Sequence, residues 1–356
     1  MQKLKLAILF GGKSAEHEVS IRSAQSIYRE INKAMYELYL VLIDKQGLWW
    51  LVEGDDLEHP ASQQSVALIP SAQGAVLLDL ETAKPLVTLD VAFPVLHGSF
   101  GEDGTIQGLF KMMDLPFVGT GVLASSACMD KDICKRLLRE AGLNVAPGIV
   151  ITPALMSETN YAAIVAQVGS PFFVKPANAG SSVGVHKVKN ETDFEPAMQD
   201  AFQYDQKVLI EMFIRGREVE CAVLGNAGEP MASVVGEIIP QTEFYSYESK
   251  YVHADGALLK APAELTAPEA ELIRSSAIKA FKTVNGEGLS RVDFFLTAEG
   301  KAIVNEINTL PGFTSISMYP KLWELTGIPY AQLIDQLIDL ALQRAGTERK
   351  YKTNFL

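Results

Sequence analysis

Apolar residues near the start of the chain predict a buried strand over residues 3–10, KLKLAILF. Gly11 and Gly12 predict a tight turn, and from about Ala15 apolar side chains recur at helical spacing. Strands are also predicted over 39–43 and 91–96, and the second leads into the glycine-rich loop HGSFGEDGTIQG. This order is typical of an α/β domain, whose ligands bind at the carboxyl ends of the strands.

The middle of the chain has a different pattern. Residues 125–141 have the apolar periodicity of one amphipathic helix, and Gly142 is placed to cap its C-terminus. Short apolar segments then follow closely in SPFFVKPANAGSSVGVHKV, KVLIEMFIRGREVECAVLG and MASVVGEIIP. Such close spacing, with few helical patterns between, predicts antiparallel sheet.

The stretch 241–260 is polar and aromatic and has no clear period. A long irregular segment in a compact domain is often a lid or binding loop. A disordered linker is the alternative, which its three tyrosines and one phenylalanine disfavour. Thr266 and Glu269 then fit a capping box, with Pro268 in the first turn of the predicted helix. The pattern YAQLIDQLIDLALQRA predicts a last helix.

The stretch RVDFFLTAEGKAIVNEIN predicts a hairpin that turns at AEGK. Glu306 and Asn308 are two residues apart and share one strand face, and the turn can bring Asp293 across from them. Two carboxylates and an amide oxygen among apolar neighbours favour a Mg²⁺ site, because a hard cation would offset their repulsion. A solvated strand face is the alternative.

Two further segments could bind charged groups. Lys175 precedes a loop with Gly180, Ser181 and Ser182, which could enclose an anion or could be only a hairpin turn. Glu16 is predicted near a helix N-terminus, where a carboxylate suits an amine better than a phosphate, or simply stabilises the helix dipole. His97 has no partner at metal-ligand spacing, so a structural role is the alternative to a catalytic one.

Chain length, charge and cysteine content narrow the range of possible functions. A chain of 356 residues predicts two or three domains, at about 150 residues each. The formal net charge of −12 disfavours a nucleic-acid or anionic-membrane surface. Cys128, Cys134 and Cys221 form no C-x-x-C pair, and no apolar run approaches the ~18 residues that span a bilayer. We therefore expect reduced thiols in a cytoplasmic protein.

Six motifs occur in the order found in D-alanine–D-alanine ligases: GGKSAEHEVS, HGSFGEDGTIQG, VKPANAGSSVG, FYSYESKY, RVDFF and NEINTLPGFTSISMYP. From residue 4 to about 340 the chain resembles this family of ATP-grasp enzymes of peptidoglycan synthesis. The resemblance implies an α/β (α+β) ATP-grasp fold. We place a Rossmann-like parallel-sheet domain over 1–125, and two antiparallel-sheet domains that grip ATP over 126–215 and 216–356, with the lid at 241–260.

The resemblance also implies cofactors and nucleotide contacts. Two Mg²⁺ ions, which Mn²⁺ could replace, would lie on Asp293, Glu306 and Asn308. The residues that match nucleotide contacts are Lys131, Lys175, Ser182, Glu211, Met212, Ile214, Glu218 and Lys250. The family often has lysine at the position of Met212, where a backbone contact can serve.

The implied reaction joins two D-alanine molecules through an acylphosphate and yields ADP and phosphate. Residues that match the family's catalytic groups are Glu16, Ser181 and Tyr251, a triad that closes the lid, and Arg291 and Gly312, the oxyanion donors. His97, Ser317 and Met318 match substrate-binding residues. The intact ESKY disfavours the alternative, a D-alanine–D-lactate ligase. A non-catalytic nucleotide-binding module would not need the metal and oxyanion groups together, so that alternative is disfavoured. A dehydrogenase is disfavoured because this chain lacks the G-x-G-x-x-G fingerprint of dinucleotide-binding domains. The family is generally homodimeric.

Overall fold

The structure is a computed structural model that describes residues 2–226, 228–240 and 257–352. Three sheets organise this part of the chain, of seven, four and five strands. The predicted lid lies outside the described residues, except for its last four positions, which form a strand. One mixed sheet and two antiparallel sheets confirm the predicted α/β (α+β) fold class.

The first sheet comprises β1 (Leu4–Gly11), β2 (Tyr36–Ile43), β3 (Trp49–Glu53), β4 (Ser62–Ser71), β5 (Gly74–Asp79), β6 (Pro85–Thr88) and β7 (Val91–Val95), in the order β6-β5-β4-β3-β2-β1-β7. Only β2, β1 and β7 pair in parallel, and the others are antiparallel. The sheet is thus less uniformly parallel than we predicted. Short connections are the reason, because a parallel crossover needs about a dozen residues.

Helix α1 (His17–Glu30) connects β1 to β2, as the glycine turn predicts. Gly11 has φ of +86°, and a Cβ atom there would lie 2.3 Å from the carbonyl oxygen of Ile43. Only glycine fits this approach. The turn places Glu16 at the N-cap of α1, next to the carboxyl end of β1. Helix α2 (Thr105–Met112) follows β7 and the glycine-rich loop.

The predicted helix over 125–141 is wrong as one element. It is two helices, α3 (Val122–Met129) and α4 (Lys131–Glu140), separated by Asp130. Asp130 has an extended backbone, and its carboxylate accepts hydrogen bonds from the amides of Asp132 and Ile133, both at 3.1 Å. An aspartate that caps a new helix in this way interrupts the preceding one. Gly142 follows α4 with φ of +74°, as a terminating glycine does.

The second sheet is antiparallel, as predicted. Its strands are β8 (Gly148–Ile151), β9 (Phe172–Pro176), β10 (His186–Val188) and β11 (Val208–Met212), in the order β10-β9-β11-β8. Its helices are α5 (Pro153–Met156), α6 (Tyr161–Val168) and α7 (Glu191–Ala201). One face packs against α6 and α7 in an apolar cluster. The opposite face carries Lys175 and Glu211.

The third sheet is also antiparallel. It comprises β12 (Arg217–Gly225), β13 (Met231–Pro240), β14 (Ala257–Lys260), β15 (Gly288–Leu296) and β16 (Ala302–Asn308), in the order β14-β13-β12-β15-β16. Helix α8 (Ala267–Thr283) begins with the predicted capping box, in which the amide of Thr266 donates to Glu269 at 2.8 Å. Helices α9 (Met318–Thr326) and α10 (Tyr330–Glu348) end the fold.

The cores explain how the sheets are held. One apolar cluster joins the first sheet and α1 to the third sheet, α9 and α10, and another joins the third sheet to α3, α4 and α8. The boundaries near 125 and 215 stay a prediction. In the described ranges no helix is long and apolar enough to cross a membrane.

Candidate active site

The hairpin β15–β16 carries the candidate metal ligands on one face. Asp293 pairs in register with Glu306, and Arg291 pairs with Asn308. Residues two apart on a strand share a face, so all four side chains emerge on the same side. Val292 and Ile307 point the other way, into the apolar core. The sequence predicted this juxtaposition. A one-residue shift in the pairing between Asp293 and Phe294 produces it, because without the shift Glu306 would lie on the opposite face.

Arg291 lies on this acidic face and binds two carboxylates. Its guanidinium donates to both oxygens of Asp293, at 2.8 and 2.7 Å, and its Nε lies 3.1 Å from Glu220 on β12. Asn308 Nδ2 donates to Asp293 at 2.9 Å. Burial alone would lower the pKa of Arg291, but Asp293 and Glu220 outweigh burial and raise it well above its usual value. Arg291 therefore stays charged and offsets the carboxylates.

The donor set fits a hard divalent cation. Asp293, Glu306 and Asn308 offer carboxylate and amide oxygens, which Mg²⁺ prefers. Because the protein would supply only these three side chains, the other coordination positions of the ion would be available to water and phosphate. Across the described residues, no group of three or more His, Cys, Asp and Glu side chains is arranged to hold a metal. Arg291 supplies the positive charge at Asp293 instead. Metal binding would therefore require Arg291 to release Asp293.

A second charged cluster lies between α4 and the second sheet. Lys135 and Lys175 each form an ion pair with Glu211, whose side chain is 3% exposed. Burial alone would raise the pKa of Glu211, but the two lysines lower it below its usual range. Burial lowers the pKa of Lys135, although the Glu211 carboxylate opposes that effect. A polyanionic ligand at this nearly dry site would meet two lysines and one carboxylate.

Lys131 reaches the glycine-rich loop of the second sheet. Its Nζ donates to the carbonyl of Ala179 at 2.5 Å, and its amide donates to Ala177 at 3.0 Å. Ser181 and Ser182 follow with φ of +51° and +60°. Left-handed backbone is uncommon for serine, and consecutive residues of this kind form turns that can bind anions through their N–H groups.

Glu16 meets this loop from the first sheet. Ser181 Oγ donates to Glu16 Oε1, although the two residues are 165 positions apart. A Cβ atom on Gly98 or Gly180 would lie only 2.9 or 3.0 Å from Glu16 Oε2. Two glycines thus give the carboxylate the space it occupies. The predicted Glu16–Ser181 pair is present, and the third member, Tyr251, lies outside the described residues, as does Lys250.

His97 and Glu102 connect the HGSFGEDG loop to the segment after β16. His97 is 4% exposed, its Nδ1 donates to the carbonyl of Leu310 at 2.9 Å, and Ser23 Oγ lies 3.1 Å from its Nε2. Burial lowers the pKa of His97, which favours the neutral ring. The Glu102 carboxylate accepts hydrogen bonds from the backbone amides of Gly98, at 2.8 Å, and Leu310, at 3.0 Å. His97 thus has a clear structural role here.

The same segment leads to the candidate substrate-binding residues. Ser317 is the N-cap residue of α9, and its Oγ accepts from the amide of Thr314 at 3.0 Å. A Cβ atom on Gly312 would lie 3.0 Å from Ser317 Oγ, so the Gly312 backbone lies close to that hydroxyl. Met318 is 4% exposed and packs beside Gly236.

Of the other predicted nucleotide contacts, Met212 ends β11, Ile214 lies between β11 and β12, and Glu218 lies on β12. Met212 is the last residue of β11, its amide donates to Pro147 at 2.9 Å, and its side chain is half-buried. Ile214 and Glu218 are half-buried as well. The nucleotide roles of these residues stay predictions.

Three site residues were missed in the sequence. Lys135 lies one helical turn after Lys131, Glu220 lies two positions after Glu218 on the same strand face, and Glu102 lies within HGSFGEDG. For Lys135 and Glu220 the spacing was a usable signal, because i and i+4 share a helix face and i and i+2 share a strand face.

The chain is similar to known proteins over nearly its full length. Residues 5–120 match the family model D-ala D-ala ligase N-terminus, and residues 137–339 match D-ala D-ala ligase C-terminus. D-alanine–D-alanine ligase A of Escherichia coli K12 is 49% identical over 363 residues, which cover 99% of this chain and 100% of that one.

Solved structures show the same likeness. The D-alanine–D-alanine ligase of Coxiella burnetii aligns with a TM-score of 0.89 and 39% identity, over 98% of this chain and 97% of that one. The VanG D-Ala:D-Ser ligase of Enterococcus faecalis aligns with a TM-score of 0.86 and 34% identity, over 96% of this chain and 100% of that one.

Proposed function

We propose a residue-level mechanism for this chain, which belongs to the D-alanine–D-alanine ligase family and joins two D-alanine molecules with cleavage of ATP. One observation supports this mechanism most directly. The hairpin β15–β16 brings Arg291, Asp293, Glu306 and Asn308 to one face, where cationic and metal-binding groups can meet a phosphoryl group.

The first D-alanine would be held by its ammonium group at Glu16. Ser181 fixes the Glu16 carboxylate by donating to Oε1, which leaves Oε2 between Gly98 and Gly180. A carboxylate in a fixed position binds an ammonium ion at a lower entropic cost than a mobile one. The Glu16 carboxylate lies close to the loop that carries His97 and Glu102. A substrate bound there would have its own carboxylate oriented toward the nucleotide.

The nucleotide would be held by the lysines and the serine loop. Lys131 and Lys175 supply positive charge near the phosphates, and the backbone at Ser181 and Ser182 supplies N–H donors. When bound, Mg²⁺ at Asp293, Glu306 and Asn308 would offset phosphate charge. The substrate carboxylate would attack the γ-phosphoryl group to give an acylphosphate and ADP.

The second D-alanine would be held by Ser317 and Met318 with its amine toward the acyl carbon. Attack by the neutral amine places negative charge on the acyl oxygen. The acyl–oxygen bond to phosphate then breaks as the peptide bond forms, and the proton that the nitrogen loses can leave with the phosphate. The Arg291 guanidinium and the Gly312 amide would donate to the charged acyl oxygen, and such donors stabilise the transition state strongly in a dry site. Tyr251 and Lys250 of the lid would complete the enclosure.

We also propose that the protein is a homodimer in the cytoplasm, with no nucleic-acid or membrane partner. The family resemblance supports the dimer, and three free, buried cysteines support a reducing compartment. Light scattering coupled to size-exclusion chromatography would test the dimer, since a single species of 38.8 kDa would contradict it.

The deciding experiment measures D-alanine-dependent ADP formation and identifies the product by mass. We expect D-alanyl-D-alanine from the wild type and almost none from Asp293→Asn. Glu299→Gln, an exposed change in the hairpin turn, is the matched control and should keep full activity. Reactions with added D-lactate or D-serine test the alternative substrates. A mixed product dominating over the dipeptide would contradict the proposed specificity, and equal inactivity of wild type and Asp293→Asn would contradict catalysis.

A further inference from the structure

Three carboxylates lie side by side across the third sheet. Glu220 pairs in register with Asp293, and Asp293 pairs in register with Glu306. Side chains directly opposite on neighbouring strands have Cβ atoms about 4.5–5.5 Å apart, and like charges in such pairs destabilise a sheet. Glu220 is 3% exposed, so solvent does little to screen it. A buried acid in this position needs a function or a cation.

The cation beside Glu220 is Arg291. Its Nε lies 3.1 Å from Glu220 Oε2, and the same guanidinium binds both oxygens of Asp293. The Arg291 side chain is 19% exposed and that of Asp293 is 13% exposed. Arg291 is therefore shared between two acids, only one of which is a candidate metal ligand.

The roles proposed for Arg291 and Asp293 conflict in this arrangement. A cation on Asp293 would need the oxygens that now accept from Arg291, and Arg291 would have to donate to the reacting acyl group instead. A buried guanidinium that loses its anionic partner is costly. Glu220 is the anion that remains when Asp293 is taken.

Resting on the mechanism proposed above, we propose that Glu220 is a positioning residue, which retains Arg291 through Nε when Asp293 binds the metal. Asp293 accepts from both Nε and Nη2 of Arg291. Because Glu220 Oε2 lies 3.1 Å from Nε, Glu220 can accept the Nε N–H when Asp293 releases it, and the Nη2 N–H that is released with it becomes available to the substrate. Glu220 thereby makes metal binding and Arg291 reorientation compatible.

The test compares Glu220→Gln with Glu237→Gln. Glu237 lies on β13 of the same sheet, faces the other side and pairs with Arg217, so its variant removes one charge without touching Arg291. Calorimetric titration of Mg²⁺ into enzyme with ADP should show about tenfold weaker metal affinity for Glu220→Gln. The affinity for ADP without metal should be unchanged, and Glu237→Gln should match the wild type in both.

Kinetics provide the second readout. At saturating Mg²⁺, Glu220→Gln should lower kcat about tenfold or more and leave KM for ATP within about twofold. Glu220→Asp, which keeps the charge, should recover part of both losses. If Glu220→Gln does not fold, Glu220→Asp takes its place in the comparison with Glu237→Gln. In an Arg291→Gln background, Glu220→Gln should add no further loss of kcat, because it acts through Arg291.

Unchanged Mg²⁺ affinity in Glu220→Gln would overturn the proposal. Equal losses in Glu237→Gln, or additive losses with Arg291→Gln, would overturn it as well. Failure of the proposed function would appear differently, as a wild type that forms no ADP in response to D-alanine. The metal titration does not depend on that reaction.

Discussion

Glu102 binds the backbone of Leu310, 208 positions further along the chain, with its Oε1 accepting the amide at 3.0 Å. Its Oε2 accepts the amide of Gly98 at 2.8 Å, and His97 donates to the carbonyl of Leu310. Both backbone polar groups of Leu310 are thus held by one loop of the first sheet. This contact fixes the segment that carries Gly312 relative to Glu16.

The first prediction is a pH-dependent contribution to stability from Glu102. Burial and the nearby Glu16 carboxylate raise the pKa of Glu102 to about 8. The folded state thus binds this proton more tightly than the unfolded chain, and its contribution to the free energy of unfolding falls between about pH 4.5 and pH 8. Glu102→Gln should reduce that slope. It should also cost about 1–3 kcal/mol at pH 5, because the amide NH₂ cannot accept one of the two backbone N–H groups.

Urea unfolding at pH 5, 6.5 and 8 measures this difference. Glu299→Gln is the control, since Glu299 is fully exposed in the hairpin turn. Parallel pH curves for wild type and Glu102→Gln would show that Glu102 does not titrate abnormally.

The second prediction concerns the space around Glu16. In Gly180→Ala the new methyl group would lie 3.0 Å from Glu16 Oε2, so the carboxylate must move. Gly180 does not have positive φ, so backbone strain should be small. We expect KM for the first D-alanine to rise about tenfold, as for the loss of one charged hydrogen bond, with little change in stability.

Gly108→Ala is the matched control, because its Cβ atom meets nothing within 4 Å and Gly108 lies in helix α2. It should keep activity and gain about 0.5–1 kcal/mol of stability. If Gly180→Ala binds D-alanine as well as Gly108→Ala does, Glu16 is not the ammonium contact.

The third prediction separates the cap of α4 from its ion pair. Asp130 caps the helix and also pairs with Lys207. Asp130→Ala removes both and should lower the free energy of unfolding by about 1–2 kcal/mol, whereas Asp130→Asn keeps a capping oxygen and should lose less. Chemical denaturation of both variants provides the comparison. Equal losses would assign the stabilisation to Lys207 rather than to the cap.

The fourth prediction uses the buried Glu211 cluster. Glu211→Gln leaves Lys135 and Lys175 facing each other, whereas Lys135→Met leaves one matched pair. We expect Glu211→Gln to be the more destabilising, by about 3 kcal/mol or more in total. Burial already lowers the pKa of Lys135, and without the Glu211 carboxylate that pKa should fall further. The stability deficit of Glu211→Gln should therefore shrink as pH rises toward about 10.

Thermal or urea unfolding at pH 7 and pH 9.5 measures that trend. The Lys135→Met variant provides the reference, since its remaining pair should vary little over this range. A Glu211→Gln deficit that is constant with pH would mean that the lysines are not forced into contact.

Much of the fold could be predicted because its signals are local. The glycine turn after β1, the capping box at Thr266 and the hairpin turn at AEGK are each written in a few consecutive residues. The break at Asp130 was equally local, and attention to the capping aspartate would have found it. The antiparallel strands β3 to β6 were missed, although the apolar runs WWLV in β3 and AVLL in β5 are typical of strands.

The sequence by itself determined that Glu306 and Asn308 share one strand face, because side chains two apart on a strand point the same way. Their match with Asp293 depends on the folded hairpin, because the pairing shifts by one residue between Asp293 and Phe294. Only the tertiary structure decided that Glu220 competes for Arg291, that Lys135 completes the Glu211 cluster, and that Glu102 holds Leu310. These contacts depend on strand register and on packing between segments up to about two hundred residues apart. No periodicity within one segment encodes the distance between two such side chains, since that distance is set by how whole sheets and helices pack.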